Sequence, residues 1–78
     1  VSEPRVLRLH HGLYLKKAVD EAIALYAAHA QIVRNEEEEH TVLHIESPRP
    51  ARAEKVAREL ANYALGLTIQ ARGSVVSI

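Results

Sequence analysis

Five histidines in a chain of 78 residues are the side chains whose chemistry first suggests a function. His40 and His44 lie four residues apart, a spacing that would bring both imidazoles to one cation on a helix. The alternation of residues 40–46 predicts a strand instead, in which the two rings lie roughly 13 Å apart. His10 and His44 are expected to be cross-strand neighbours, but two imidazoles without a third ligand make a weak site. We therefore expect no metal or other cofactor, and ordinary surface or half-buried histidines.

The carboxylate and hydroxyl side chains do not form a recognisable catalytic site either. The run from Glu36 to Glu39 brings like charges together, so it is expected in a solvated loop rather than at a cation or general acid–base site. Ser47 lies in a proline-rich turn and Ser74 near the end of the sequence, and neither is flanked by a nucleophile motif. The sequence also contains no cysteine and no glycine-rich phosphate loop. These features predict a protein that is not an enzyme.

The composition limits the cellular compartment and the classes of partner that are expected. Ten basic and ten acidic side chains cancel at neutral pH, which removes the broad positive field typical of non-specific nucleic-acid binding. No apolar run approaches the roughly 20 residues that cross a bilayer. Without cysteine there is no reason to expect an oxidising compartment, so a cytoplasmic protein with no membrane contact is predicted. The length fits one domain over residues 1–78, with a core that is only marginally sufficient.

The elements that would position these residues follow from the hydrophobic period. Residues 5–11 alternate, which predicts a strand with one buried face. Apolar residues then recur at offsets of three and four over residues 15–29, which predicts a helix. Residues 31–34 and 40–46 alternate again, and an antiparallel hairpin is the simplest connection between them.

The end of the second helix decides the fold class, because the hydrophobic period changes there. This helix is expected to begin near residues 48–51, with Ser47 capping its first amides. Apolar residues keep helical spacing up to Ala64, whereas over residues 67–72 they alternate with polar ones. Gly66 lies at the change and is the residue best able to close a helix as C′. We therefore favour a fourth strand over residues 67–72.

This order predicts an α+β fold, a ferredoxin-like βαββαβ sandwich with an antiparallel-rich sheet and both helices on one face. The first strand would lie beside the third in the middle of the sheet. The alternative is a βαββα domain whose second helix runs to about Arg72, with Gly66 tolerated inside it at roughly 1 kcal/mol relative to Ala. The predicted core draws on sheet and helices: Leu7, Leu9, Leu43, Ile45, Leu67, Ile69, Val19, Ala22, Ile23, Tyr26, Val56, Leu60 and Ala64.

The open face of such a sheet would be the main part of a candidate interaction surface. RNA-recognition domains use this face, but they stack bases on sheet aromatics, and no tyrosine falls on a predicted strand. An RNA-binding module therefore stays an alternative, with nucleic acid the less expected partner. A self-associating structural domain, such as a homodimer, is a further alternative because the core is marginal and strand edges are exposed. The candidate residues are Arg8, His10, His44, Gln70 and Arg72 on the strands, with Asn62 on the exposed side of the second helix.

Three motifs carry a resemblance to a known family: LHHGLY at residues 9–14, KKAVDEAI at 16–23 and ELANYALGLTI at 59–69. The chain resembles the small D protein of the His-Xaa-Ser system (HxsD-like), whose members place a tyrosine before an Ala-rich helix and an Asn-containing leucine motif late in the second helix. The matching positions are Tyr14, Ala18, Val19, Ala22, Leu60, Asn62, Leu65 and Ile69. The chain departs from the family at Ala61 and Tyr63, and it lacks the basic residue expected soon after Leu65.

The resemblance implies a non-catalytic accessory protein, encoded with radical S-adenosylmethionine enzymes that are thought to modify a His-Xaa-Ser repeat peptide. It does not imply catalysis by this chain. The implied partners are the modification enzyme or its substrate peptide. Such a small protein would hold one of them, for instance by adding a strand to an exposed sheet edge.

Overall fold

The computed structural model describes residues 4–73, which form three strands and two helices. The elements in chain order are β1 (Arg5–His10), α1 (Lys16–Tyr26), β2 (Gln31–Glu36), β3 (His40–Glu46) and α2 (Pro50–Gly73). The chain is therefore an α+β protein, which confirms the predicted class.

The sheet is antiparallel and has the order β1-β3-β2. The predicted pairing of the first and third strands is confirmed, with Leu7 opposite Leu43. β2 is longer than predicted, because Glu36 is its last residue and lies opposite Thr41. Only residues 37–39 of the glutamate run therefore form the exposed turn, and the placement of Glu36 in that loop was wrong.

The hydrophobic core lies between one face of the sheet and the two helices. Three apolar sheet residues, Leu9, Leu43 and Ile45, are fully buried on this face. Leu7 and Ile32 lie at the margin of the same core. The helices complete it with Val19 and Ala22 from α1 and Ala53, Val56, Leu60 and Ala64 from α2. Both helices pack on this one face, and the opposite face of the sheet is called the open face.

α2 begins where the sequence predicted. Pro50 is its first residue, a position that needs no amide donor and suits the fixed φ of proline. Just before it, the hydroxyl of Ser47 accepts a hydrogen bond from the amide of Arg49 at 3.2 Å. Although α2 contains 24 residues, no helix in the described part of the chain is both long and apolar enough to cross a membrane.

Residues 67–72 are helical, so the predicted fourth strand is wrong, and the described residues follow the βαββα alternative. The reason is Thr68, which is 1% exposed and extends the buried stripe one turn beyond Ala64. Its hydroxyl donates to the carbonyl of Ala64 at 2.8 Å and accepts from the amide of Leu15 at 3.0 Å. A threonine satisfied in this way occupies a core position, so the helical period continues where the alternation suggested a strand.

Gly66 is an interior residue of α2 rather than its C′ residue, and it does not adopt a positive φ. Ile69 was predicted in the core but is 61% exposed, because it lies on the side of α2 opposite the middle of the buried stripe. Leu67, also predicted in the core, is half-buried. For residues 74–78 the sequence predicts either an extension of the fourth strand or a tail, and these residues lie outside the described part of the chain.

Candidate functional site

β1 is paired with β3 on one side only, and its other side is a free edge within residues 4–73. The amide of His11 donates to the carbonyl of Glu39 at 2.8 Å, which fixes the phase of the ladder. Because bonded and non-bonded pairs alternate in an antiparallel ladder, Leu7 bonds to β3 whereas Val6 and Arg8 point their backbone groups outward. The free edge therefore presents the amides and carbonyls of Val6 and Arg8 to an added strand, together with the amide of His10, whose carbonyl already accepts from the amides of Leu13 and Tyr14.

One side of α2 follows this free edge from end to end. Near the start of β1, Nη2 of Arg5 lies 2.9 Å from Oε2 of Glu54. Just beyond the end of β1, Nη2 of Arg72 donates to the carbonyl of Gly12 at 3.1 Å. With about 100° of rotation per residue, Glu54 and Arg72 fall on the same side of the helix. This side, called the α2 stripe, consists of Glu54, Arg58, Ala61, Asn62, Leu65, Ile69 and Arg72.

The free edge and the α2 stripe enclose a groove of about 430 Å³, called the β1–α2 groove. Ala57 and Ala61 are half-buried and give it an apolar floor with room for side chains. Leu65 and Ile69 are exposed and continue this apolar surface towards the end of α2. A fourth strand would lie here in the predicted ferredoxin-like arrangement, which places the first strand inside the sheet. The groove therefore lies where such an edge strand would lie, and its lining covers residues 4–7 at the start of β1 and residues 54–62 of α2.

The six residues of the predicted interaction surface fall in three places. The strand positions predicted for Gln70 and Arg72 are wrong, because both residues lie on α2. Gln70 lines a separate cleft between α1 and α2, together with Lys17 and Glu21. The other five lie near β1: Arg8, His10 and His44 on the open face, and Asn62 and Arg72 on the α2 stripe.

The histidines of the open face are arranged differently from the prediction. His10 lies opposite His40, with ring centroids 4.9 Å apart in an edge-to-face contact, whereas His44 lies opposite Val6. The Nδ1 atom of His10 accepts a hydrogen bond from the amide of Gly12 at 2.9 Å. Within residues 4–73, no group of three or more His, Cys, Asp or Glu side chains could hold a metal ion.

The open face is apolar at its centre and charged at its edge. His44 lies between Val6 and Val33, which are 56% and 53% exposed. Arg8 lies beside the free edge, and its Nη2 atom donates to Oε1 of Glu37 at 3.1 Å. A strand added to β1 would therefore extend a surface that already carries exposed valines and a guanidinium group.

A second polar cluster lies on the helix side of the hairpin and is centred on Glu36. Nε of Arg34 donates to Oε2 of Glu36 at 2.6 Å, and Nη1 of Arg34 binds Asp20 of α1. The hydroxyl of Thr41 donates to Glu36 at 3.0 Å, and Nε2 of His11 lies 3.3 Å from the same carboxylate. Thr41 is 1% exposed, so its hydroxyl is not accessible to a substrate. The cluster joins the hairpin to α1 and to the end of β1.

Three groove residues, Arg58, Ala61 and Leu65, were not singled out from the sequence as a binding surface. The sequence predicts that the helix ends at Gly66, so the predicted exposed side of the helix stops before Arg72. The signal was nevertheless present, because the residues of the α2 stripe recur at offsets of three and four once the helix is continued.

No protein-family model matches the chain, and no curated protein or solved structure matches it significantly. The family resemblance stays a prediction, and the β1–α2 groove is interpreted from its own geometry and chemistry.

Proposed function

We propose that this chain is a non-catalytic interaction protein that binds an extended peptide as a fourth strand in the β1–α2 groove. The observation that carries the proposal is the free edge formed by Val6 and Arg8 beside an apolar surface of α2. In strand addition, main-chain hydrogen bonds supply affinity and contacts with alternate side chains supply specificity. β1 provides the backbone groups, and Ala57, Ala61 and Leu65 provide the apolar contacts.

The family resemblance suggests the partner within this proposal. The added strand would belong to a His-Xaa-Ser repeat peptide or to the radical S-adenosylmethionine enzyme that modifies it, in a cytoplasmic setting. Asn62, Leu65 and Ile69, which match the leucine motif of the family, all lie on the α2 stripe. Their position beside the free edge supports a binding role for that motif.

The alternative of RNA binding has less support from the geometry. Arg72 lies on α2 rather than on the sheet, and Arg8 is paired with Glu37, so the basic residues of that interpretation do not share one face. No tyrosine lies on a described strand, which leaves the open face without the stacking platform that RNA-recognition domains use.

The test is a peptide-display selection followed by amide hydrogen exchange on the complex. We expect the selected peptides to slow the exchange of the Val6 and Arg8 amides, because strand addition gives both of them a bonded partner. The Leu7 amide is already bonded to β3 and should change much less. A selection that recovers no peptide would contradict the proposal, as would peptides that leave the exchange of Val6 and Arg8 unchanged.

Val6→Pro is the variant matched to this test. It removes one outward amide without touching the bonds between β1 and β3, and proline is tolerated on the outer side of an edge strand. We expect the variant to fold and to lose about tenfold in peptide affinity, the equivalent of one hydrogen bond. Val6→Ala, which keeps the amide, should retain most of the affinity. Equal affinities for both variants would contradict main-chain pairing at this edge.

A further inference from the structure

Among residues 4–73, the β1–α2 groove and its rim carry more positive than negative charge, although the chain as a whole has ten basic and ten acidic residues. Two of its arginines are paired, Arg5 with Glu54 and Arg8 with Glu37. Within residues 4–73 no carboxylate forms an ion pair with Arg58 or Arg72. The groove and its rim thus combine four arginines with two carboxylates: Arg5, Arg8, Arg58 and Arg72 against Glu37 and Glu54.

The pleat of the sheet decides which positions of an added strand meet this charge. A residue opposite Leu7 would share the helix side of the sheet and face Ala57 and Ala61. A residue opposite Arg8 would share the open face, where the Arg8 side chain is 54% exposed. Directly opposed Cβ atoms are about 5 Å apart, so a carboxylate at that position reaches the Arg8 guanidinium. Apolar and acidic residues would therefore alternate along the favoured strand.

We infer that the groove selects an extended acidic peptide in which carboxylates alternate with apolar residues, a conclusion that rests on the proposed strand addition. Of the two partners proposed above, it favours a segment of the modification enzyme, because a His-Xaa-Ser repeat has a period of three and does not alternate carboxylates with apolar residues. The apolar side chains pack on the alanines of α2. The carboxylates lie on the open face, where one of them takes the place of Glu37 at Arg8. Arg58 and Arg72 add attraction from the α2 stripe, and charge complementarity of this kind favours fast and selective association.

The experiment compares three six-residue peptides, capped at both ends, in which valine alternates with glutamate, glutamine or lysine. Dissociation constants are measured by NMR titration at low salt, with the Val6 amide as the reporter. We expect the glutamate peptide to bind about fivefold more tightly than the glutamine peptide, and the lysine peptide to bind most weakly. This difference should shrink in 1 M salt, where charges are screened over about 3 Å.

Two arginine variants make the comparison specific. Arg8→Gln should lower the affinity for the glutamate peptide about threefold and leave that for the glutamine peptide unchanged. Arg52→Gln changes an exposed arginine of α2 outside the groove, and it should affect neither affinity. If Arg8→Gln lowered the affinity for the glutamate and glutamine peptides equally, the role of Arg8 would be merely structural and the inference would be overturned.

The outcomes also separate this inference from strand addition itself. Equal binding of the glutamate and glutamine peptides, with the Val6 amide protected in both complexes, would overturn the acidic preference and leave strand addition standing. If the lysine peptide bound more tightly than the glutamate peptide, the acidic preference would be wrong and strand addition would again be retained. If none of the three peptides binds while display-selected peptides do, the acidic preference is again wrong and the proposed function is retained.

Discussion

Asn62 lies in the middle of the α2 stripe and is exposed, as its helical phase relative to Leu60 predicted. Asparagine is a weaker helix former than alanine, so Asn62→Ala should leave the free energy of unfolding unchanged or raise it by a few tenths of a kcal/mol. We expect the affinity for a groove-binding peptide to fall about fivefold, because the Asn62 amide lines the groove where the backbone of an added strand would pass. Thermal melting and a peptide titration measure the two effects.

Gln70→Ala is the control for this variant. It removes an exposed amide from the same helix, but Gln70 lines the cleft between α1 and α2 and not the groove. Peptide affinity should therefore stay at the wild-type value. Wild-type affinity in Asn62→Ala would show that the amide takes no part in binding.

Glu36 is expected to make the stability of the folded protein depend on pH in the acid range. The hydrogen bond from Arg34 holds the pKa of the Glu36 carboxyl below its ordinary value, and those from Thr41 and His11 act in the same direction. Because the folded state binds this proton more weakly than the unfolded state, the stabilisation is complete above the unfolded-state pKa of about 4.3. It is lost as the pH falls through the lower folded-state pKa.

We therefore expect Glu36→Gln to reduce the acid dependence of the free energy of unfolding between about pH 5 and pH 2, measured by urea titration at each pH. Glu38→Gln is the matched control, because Glu38 lies in the exposed turn after β2 and should leave the acid dependence unchanged. Identical pH profiles for the wild-type protein and Glu36→Gln would show that the cluster does not contribute to acid stability.

At the scale of elements, the continuity of α2 through Gly66 has a direct consequence for stability. A Cβ atom at Gly66 would meet nothing within 4 Å, and glycine in a helix interior costs about 1 kcal/mol relative to alanine. Gly66→Ala should therefore raise the free energy of unfolding by about 1 kcal/mol. Had Gly66 closed the helix at positive φ, the same change would be destabilising.

Urea unfolding measures this effect, and Gly12→Ala provides the contrast. A Cβ atom at Gly12 would lie 3.0 Å from Nδ1 of His10, so no gain in stability is expected there. A loss of stability in Gly66→Ala would contradict an uninterrupted α2.

The sequence predicted four of the five described elements and the start of α2, because each has one dominant period and a clear break beside it. The end of α2 was ambiguous, since Leu67 and Ala71 fit both a period of two and a period near 3.6. Whether residues 67–72 form a helix or a strand depends on Thr68, whose hydroxyl donates to the carbonyl of Ala64 and accepts from the amide of Leu15. The second of these contacts is tertiary, and the local pattern of hydrophobic residues contains no information about it.

The β1–α2 groove could not be predicted from the sequence for the same reason. Arg8 and Asn62 were both proposed as surface residues, but their common position depends on which side of α2 lies along β1. That side is fixed by contacts far apart in the chain, from Arg5 to Glu54 and from Gly12 to Arg72. Periodicity assigns residues to faces of an element but does not orient one element against another.

At the scale of the whole molecule, residues 4–73 combine a small core with a sheet face and a sheet edge that no other described residue covers. Domains of this size bury a modest fraction of their surface and are only marginally stable. A peptide present at 100 times its dissociation constant stabilises the folded state by about 2.7 kcal/mol. For a domain this small, the melting temperature should rise by about 10 °C or more, which differential scanning calorimetry would detect. A peptide that binds without raising the melting temperature would bind the folded and unfolded chains equally well.

The strand order also determines how the free edge is assembled during folding. β2 and β3 are neighbours in sequence and can form a hairpin by local contacts, whereas β1 must join β3 across a long separation, with Arg5 opposite Ile45. Closing a long loop is the slow and entropically costly step, so β1 is expected to dock late and to detach early. Among the described residues, the strand that offers its edge to a partner is thus also held in the sheet from one side only. A bound peptide would hold it from the other side and slow its detachment, so partner binding would govern the lifetime of the native sheet.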